Sequence, residues 1–117
     1  AFRVVLLCET PEQQRQGLQG FPRLGADDAA LFTYTTPTEV TFWMGSVSYP
    51  IDIIFISPDM TVSAVYSHCL PGQDTRYPSR RPISWVIETA AGSGIRPGDA
   101  VAIRGARPSG NRVGAGR

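Results

Sequence analysis

The chain contains no lysine: all 11 basic residues among its 117 are Arg. That excludes Schiff-base or lysine-nucleophile chemistry and any phosphate-binding P-loop. There is a single His, which leaves little room for a conventional catalytic triad, and only two Cys. With one His and two separated Cys, the soft ligands fall short of the four that structural zinc usually takes. No metal and no cofactor is therefore expected. Net charge is also scarce, at +1 from 11 basic and 10 acidic residues. Without a strong field, nucleic acid is a poor candidate partner. No apolar run approaches membrane-spanning length. The G-x-S-x-G elbow, the H-E-x-x-H helix and the G-x-G-x-x-G turn are all missing.

What remains is an ordinary globular composition, 42% hydrophobic and 18% charged. A chain of this length buries roughly two-thirds of its extended surface, enough for one core and one domain. Strand-like patterning with Gly/Pro punctuation dominates. Phe2 to Glu9 reads as a strand, apolar on both faces and hence central. Thr10-Pro11-Glu12-Gln13 has the form of a capping box with Pro at the first helical position, and Gly17 falls where a C-cap would end a short helix. Ala29 to Tyr34 and Glu39 to Met44 read as strands about a Thr-Pro-Thr turn. Ile51 to Ile56 is an apolar strand, followed by Thr61 to Cys69 after a Ser-Pro-Asp turn. Leu70 to Pro82 reads as a long loop, Ile83 to Thr89 as a strand and Ala100 to Arg104 as a last one. These elements predict a mainly β, compact antiparallel barrel or sandwich-like domain over residues 1–104, with one short N-terminal helix. A Gly/Arg-rich tail is expected over 105–117.

Three stretches carry a family resemblance. They are Glu12, Arg15 and Gly17-Leu18; Phe42-Trp43-Met44 with Pro50-Ile51-Asp52-Ile53-Ile54-Phe55-Ile56; and Trp85-Val86-Ile87-Glu88 with Ala91-Gly92 and Gly98-Asp99. In order and spacing the chain resembles the domain-of-unknown-function 192 family over about residues 2–104. The resemblance implies a compact β-rich domain, often exported or lipid-anchored at the bacterial envelope, with no agreed biochemical activity. A periplasmic or exported location is thus the expectation, with a cytoplasmic one as the alternative; a start at Ala1 fits a lost secretory signal as well as a cloning choice. Where the family usually carries Lys, then Asn or Asp, then Thr after Phe-Trp-Met, this chain has Gly45, Ser46 and Val47.

Among individual residues, Asp52 stands out because a carboxylate inside an apolar strand must be paired or hydrogen-bonded. It is either a ligand-binding acid or, as the stronger reading, a structural group bonded to backbone N–H or to Arg15. Glu88 and Asp99 sit at strand ends near glycines, where exposed or capping roles are expected. Arg15, Gly17, Glu88, Gly98 and Asp99 are assigned structural roles. Cys8 and Cys69 are read as free thiols, with a disulfide between them as the alternative, one that would contribute about 4 kcal/mol. His68 and Cys69 are adjacent and therefore point to opposite faces of a strand. Trp43, Asp52, Arg76, Tyr77 and Arg80 are the candidate ligand-binding residues, in a cleft lined by Trp43, Asp52 and the Arg76 to Arg81 loop. The function expected is a non-catalytic envelope module for a small molecule, glycan or peptide. The rivals are a hydrolase pairing Asp52 with Glu88 or Asp99, and a protein-interaction scaffold.

Overall fold

The computed structural model describes residues 1–105. Positions 106–117, and with them most of the expected Gly/Arg-rich tail, lie outside the described residues. Seven strands and one helix follow in chain order: β1 (Arg3–Cys8), α1 (Pro11–Gln16), β2 (Asp28–Thr38), β3 (Thr41–Trp43), β4 (Ile51–Ile56), β5 (Val62–Cys69), β6 (Arg76–Pro78) and β7 (Ile83–Ala90). Five strands form one open sheet in the order β1-β2-β7-β4-β5, and β3 pairs with β6 in a second, two-stranded sheet. Every pairing is antiparallel except β1 with β2. The fold is mostly β and sandwich-like, and its sheets do not close into a barrel.

Local sequence explains α1. The Thr10 hydroxyl accepts the Gln13 N–H while the Gln13 side chain accepts the Thr10 N–H, so two otherwise orphaned donors are satisfied. Pro11 occupies the first turn, and the Gly17 N–H donates to the Gln13 carbonyl at 2.8 Å. Gly17 has φ +49°, and a Cβ there would lie 3.4 Å from the Phe32 ring. The positive φ favours glycine, and the ring at ordinary contact distance seats the helix exit directly on β2.

Strand β1 is an edge strand, not the central one its two apolar faces suggested. Because β1–α1–β2 is a parallel crossover and the far side of β2 is taken by β7, β1 is left outermost. Its double-sided apolarity reflects two layers. The main core lies on one face of the sheet, built from residues such as Phe32, Ile53, Phe55 and Val86. A smaller cluster of Ile54, Ile56 and Val62 lies on the other, with Trp85, Ile87 and Val101 against it.

Three further segments differ from the sequence reading. Thr36-Pro37-Thr38 is not a turn but the bulged end of β2, where the register against β7 shifts between Thr33 and Thr38. A bulge accepts a proline because its N–H is not needed there. Within the supposed Leu70 to Pro82 loop, Arg76–Pro78 pairs with Thr41–Trp43. Ala100 to Arg104 forms no strand; its ladder contact is a single bridge from Ala100 to Thr61. It runs along the second face of the sheet, beside an apolar groove of about 1270 Å³.

The two sheets are tied by a relay of edge-to-face rings. Phe32, Phe42, Phe55, Tyr66 and Tyr77 meet in sequence with centroids 5.0, 5.9, 5.9 and 5.3 Å apart. Each such contact contributes about 0.5–1.5 kcal/mol beyond the area it buries. The relay holds β3 over the large sheet and so fixes the roof of the cleft described next.

Candidate functional site

The cleft lies between the exit of α1 and the Val40 to Val47 segment, with a volume of about 490 Å³. That falls within the range of small-molecule sites. Arg15 and Gln19 stand at its helical side, Trp43 and Ser46 on the opposite wall, and Phe32, Tyr34 and Phe42 line it further in. Its base is Glu88. This residue is only 4% exposed, and its carboxyl makes no hydrogen bond or ion pair with any described residue.

Register explains how Glu88 comes to be there. On β7, the middle strand of the large sheet, it stands opposite Ala30 of β2 and Ile53 of β4, both of which belong to the main core. Desolvation pushes its carboxyl from the ordinary 4.5 up to about 8. Burial also raises the weak acids of the same core. Cys8 and Cys69 are pushed up to about 11 and Tyr34 to about 12, with the Glu88 charge adding to each. At neutral pH the cleft therefore ends in a protonated carboxyl group with an unused O–H donor and unused acceptor capacity.

Glu88 is thus neither exposed nor capping, contrary to the sequence expectation. Along β7, Ile83, Trp85 and Ile87 share one face, and Glu88 falls on the other. The signal available was Val86, apolar on the same face as Glu88: β7 is covered on both sides, and a carboxylate on either face would be buried.

Asp52 has a different fate. It is 2% exposed and lies on the other face of the sheet from Glu88, opposite Thr89. The His68 N–H donates to its Oδ1 at 2.8 Å and the Ser93 N–H to its Oδ2 at 2.9 Å. Two residues, Ser67 and His68, stand opposite Asp52 in a β-bulge, with His68 at φ +55°. The carboxylate pins that bulge and the loop after β7. Its partners are backbone N–H groups and not Arg15, which is exposed at the rim of the cleft.

The expected grouping of Trp43, Asp52 and the Arg76 to Arg81 loop does not form. Trp43 is 52% exposed at the cleft wall, with the Arg76 guanidinium 4.5 Å from its ring centroid, as their direct pairing across β3 and β6 requires. Tyr77 is buried against Tyr66 as part of the core relay. Arg80 is exposed, holds φ +65°, and does not line the cleft. Asp99 accepts the Arg96 N–H at 2.9 Å in an exposed turn that includes Gly98 at φ +92°. Asp99 borders the second groove, whereas Glu88 borders the cleft. Asp52 and Glu88 lie on opposite faces of the sheet, and Asp52 borders neither the groove nor the cleft. Cys8 and Cys69 are both buried and unbonded. Among the described residues, no three His, Cys, Asp or Glu side chains gather to hold a metal. No helix there is long and apolar enough to cross a membrane.

Known proteins share this architecture. A solved structure from Sinorhizobium meliloti, described as a "putative transcription regulator", has a TM-score of 0.79 at 30% identity, covering 85% of this chain and 79% of that one. Another, a protein of unknown function from Novosphingobium aromaticivorans, has a TM-score of 0.81 at 33% identity, covering 87% of this chain and 75% of that one. No curated protein matches. The model of the domain-of-unknown-function 192 family, described as an uncharacterized ACR, matches residues 2–103. Spanning all the described strands, that match shows that the chain belongs to the domain-of-unknown-function 192 family.

Proposed function

We propose that this protein is a non-catalytic binding module. It takes a small molecule, sugar or peptide end in the cleft between α1 and the Val40 to Val47 segment, at the bacterial envelope. The observation that carries this reading is Glu88: a carboxyl buried at the base of an open cleft with no partner of its own. Burying such a group unbonded costs about 1–3 kcal/mol, a cost that a ligand's polar atom offsets on binding. Trp43 at the wall supplies an exposed aromatic surface for a sugar ring or an apolar side chain. The envelope location rests on the family resemblance, and fractionation of the tagged native gene product tests it.

A DNA-reading role, suggested by the description of one structural neighbour, finds less support. Among the described residues the helix is six residues long and carries Glu12 beside Arg15, which gives a major groove no extended basic face. A thermal-shift screen of wild type and Glu88→Gln against sugars, peptides and nucleotides tests the binding reading. A ligand at 100 times its Kd adds about 2.7 kcal/mol, several degrees for a domain of this size. The reading expects a shift in wild type that is reduced in a folded Glu88→Gln. Shifts of equal size in both proteins would move the site elsewhere.

A further inference from the structure

Resting on the binding reading above, we infer that the group received at the base of the cleft is an ammonium: the cleft takes a ligand that inserts an alkylamine end between the aromatic side chains and the Glu88 carboxyl. Three observations lead there. The first is the missing partner, since no described residue donates a hydrogen bond or a positive charge to a carboxyl that is 4% exposed.

The second is the kind of groups that surround it. Cys8 on β1, Tyr34 on β2 and Cys69 on β5 belong to the same core as the Ala30 and Ile53 that flank Glu88, and each is uncharged at neutral pH. The cation facing the cleft from α1 is Arg15, which is exposed at the rim and forms no ion pair with Glu88. The chain has no lysine to supply an ammonium from within.

The third is the lining. Phe32, Phe42 and Tyr34 border the same cleft, and the first two hold a T-shaped contact at 5.0 Å. Aromatic rings offer a cation the negative face of a quadrupole, and a carboxylate completes the charge. A neutral hydroxyl or carbonyl ligand can hydrogen-bond to the carboxyl but brings no charge to pair with it or with the ring quadrupoles. An ammonium supplies up to three donors, the charge and an apolar stem.

Entry of the ammonium ionises the carboxyl: the O–H bond breaks, its proton leaves to solvent, and an ion pair remains. Binding is therefore expected to weaken about tenfold for each pH unit below the free midpoint of Glu88. The test is carbon-13 NMR of the Glu88 carboxyl in the whole protein, assigned by its absence in Glu88→Gln. The titration is followed with n-butylammonium chloride, with n-butanol and with potassium chloride. The ammonium is expected to lower the Glu88 midpoint by about one unit or more, and the two controls to leave it in place.

A midpoint unmoved by butylammonium while a sugar or neutral peptide perturbs the Glu88 signal would overturn the ammonium assignment and leave the binding reading standing. A signal unmoved by every compound would overturn both. Calorimetry in buffers of different ionisation enthalpy gives a second readout, expected to show about one proton released per butylammonium bound. Zero proton release with measurable binding would also refute the assignment.

Discussion

Replacing Glu88 by Gln should change how stability depends on pH, and the change can be worked out from its burial. In the folded protein its carboxyl is held at about 8, against the ordinary 4.5 that the unfolded chain recovers. Below pH 4.5 both states carry the proton and the group contributes no pH dependence. Between the two values the folded state keeps a proton that the unfolded state has lost, so stability falls as pH rises, by up to about 1.4 kcal/mol per unit. Above about pH 8 the loss is complete, at about 5 kcal/mol in total. Gln has nearly the same shape and never ionises. The stability of wild type relative to Glu88→Gln should therefore decline by about 3–4 kcal/mol between pH 5 and pH 8. With a urea slope of about 1.5 kcal/mol per molar, that moves the relative midpoint by about 2 M, well within reach of fluorescence-monitored unfolding at four pH values. Comparison with the variant cancels the contributions of every other titrating group. Parallel pH profiles for the two proteins would refute the buried, protonated Glu88 and the cleft built upon it.

Other consequences follow from single contacts. Asp52→Ala strands the His68 and Ser93 N–H groups, and a loss of about 3 kcal/mol is expected by urea unfolding. An unchanged midpoint would show that the bulge does not need the carboxylate. Gly17→Ala forces a Cβ onto a backbone at φ +49°, at an expected cost of about 1–2 kcal/mol in the same assay. No loss would mean that the helix exit is not held as described. Both thiols, pushed to about 11, should react with iodoacetamide at pH 8 about a hundredfold more slowly in the native protein than in urea. Native alkylation at the denatured rate, followed by mass spectrometry, would contradict their burial.

Several local features were legible in the residues alone. The capping box at Thr10 and Gln13, Pro11 and the Gly17 cap fix α1, because each acts through bonds within one or two turns of chain. The apolar runs of β4 and β7 and the family pattern around Phe42-Trp43-Met44 were legible for a similar reason, since strand periodicity is written into consecutive residues. The structural reading of Asp52 was also within reach, because a carboxylate in the strand Ile51–Ile56 must be satisfied wherever that strand packs. Its partners were not, since Ser93 is 41 positions away and His68 meets it only through a bulge.

Strand order and the cleft were decided by tertiary structure. The sequence of β1 specifies two apolar faces, but whether a second strand takes its free edge depends on where β2 and β7 pair, and the answer made it an edge. Arg76–Pro78 becomes a strand only because Thr41–Trp43 lies beside it. The clearest case is Glu88. The sequence fixes a carboxylate on an apolar strand. Burial of both strand faces, β2 and β4 on either side and α1 across the opening turn that carboxylate into the unpartnered base of a cleft. Solvation depends on everything that surrounds a group in space, and no local pattern along the chain encodes it.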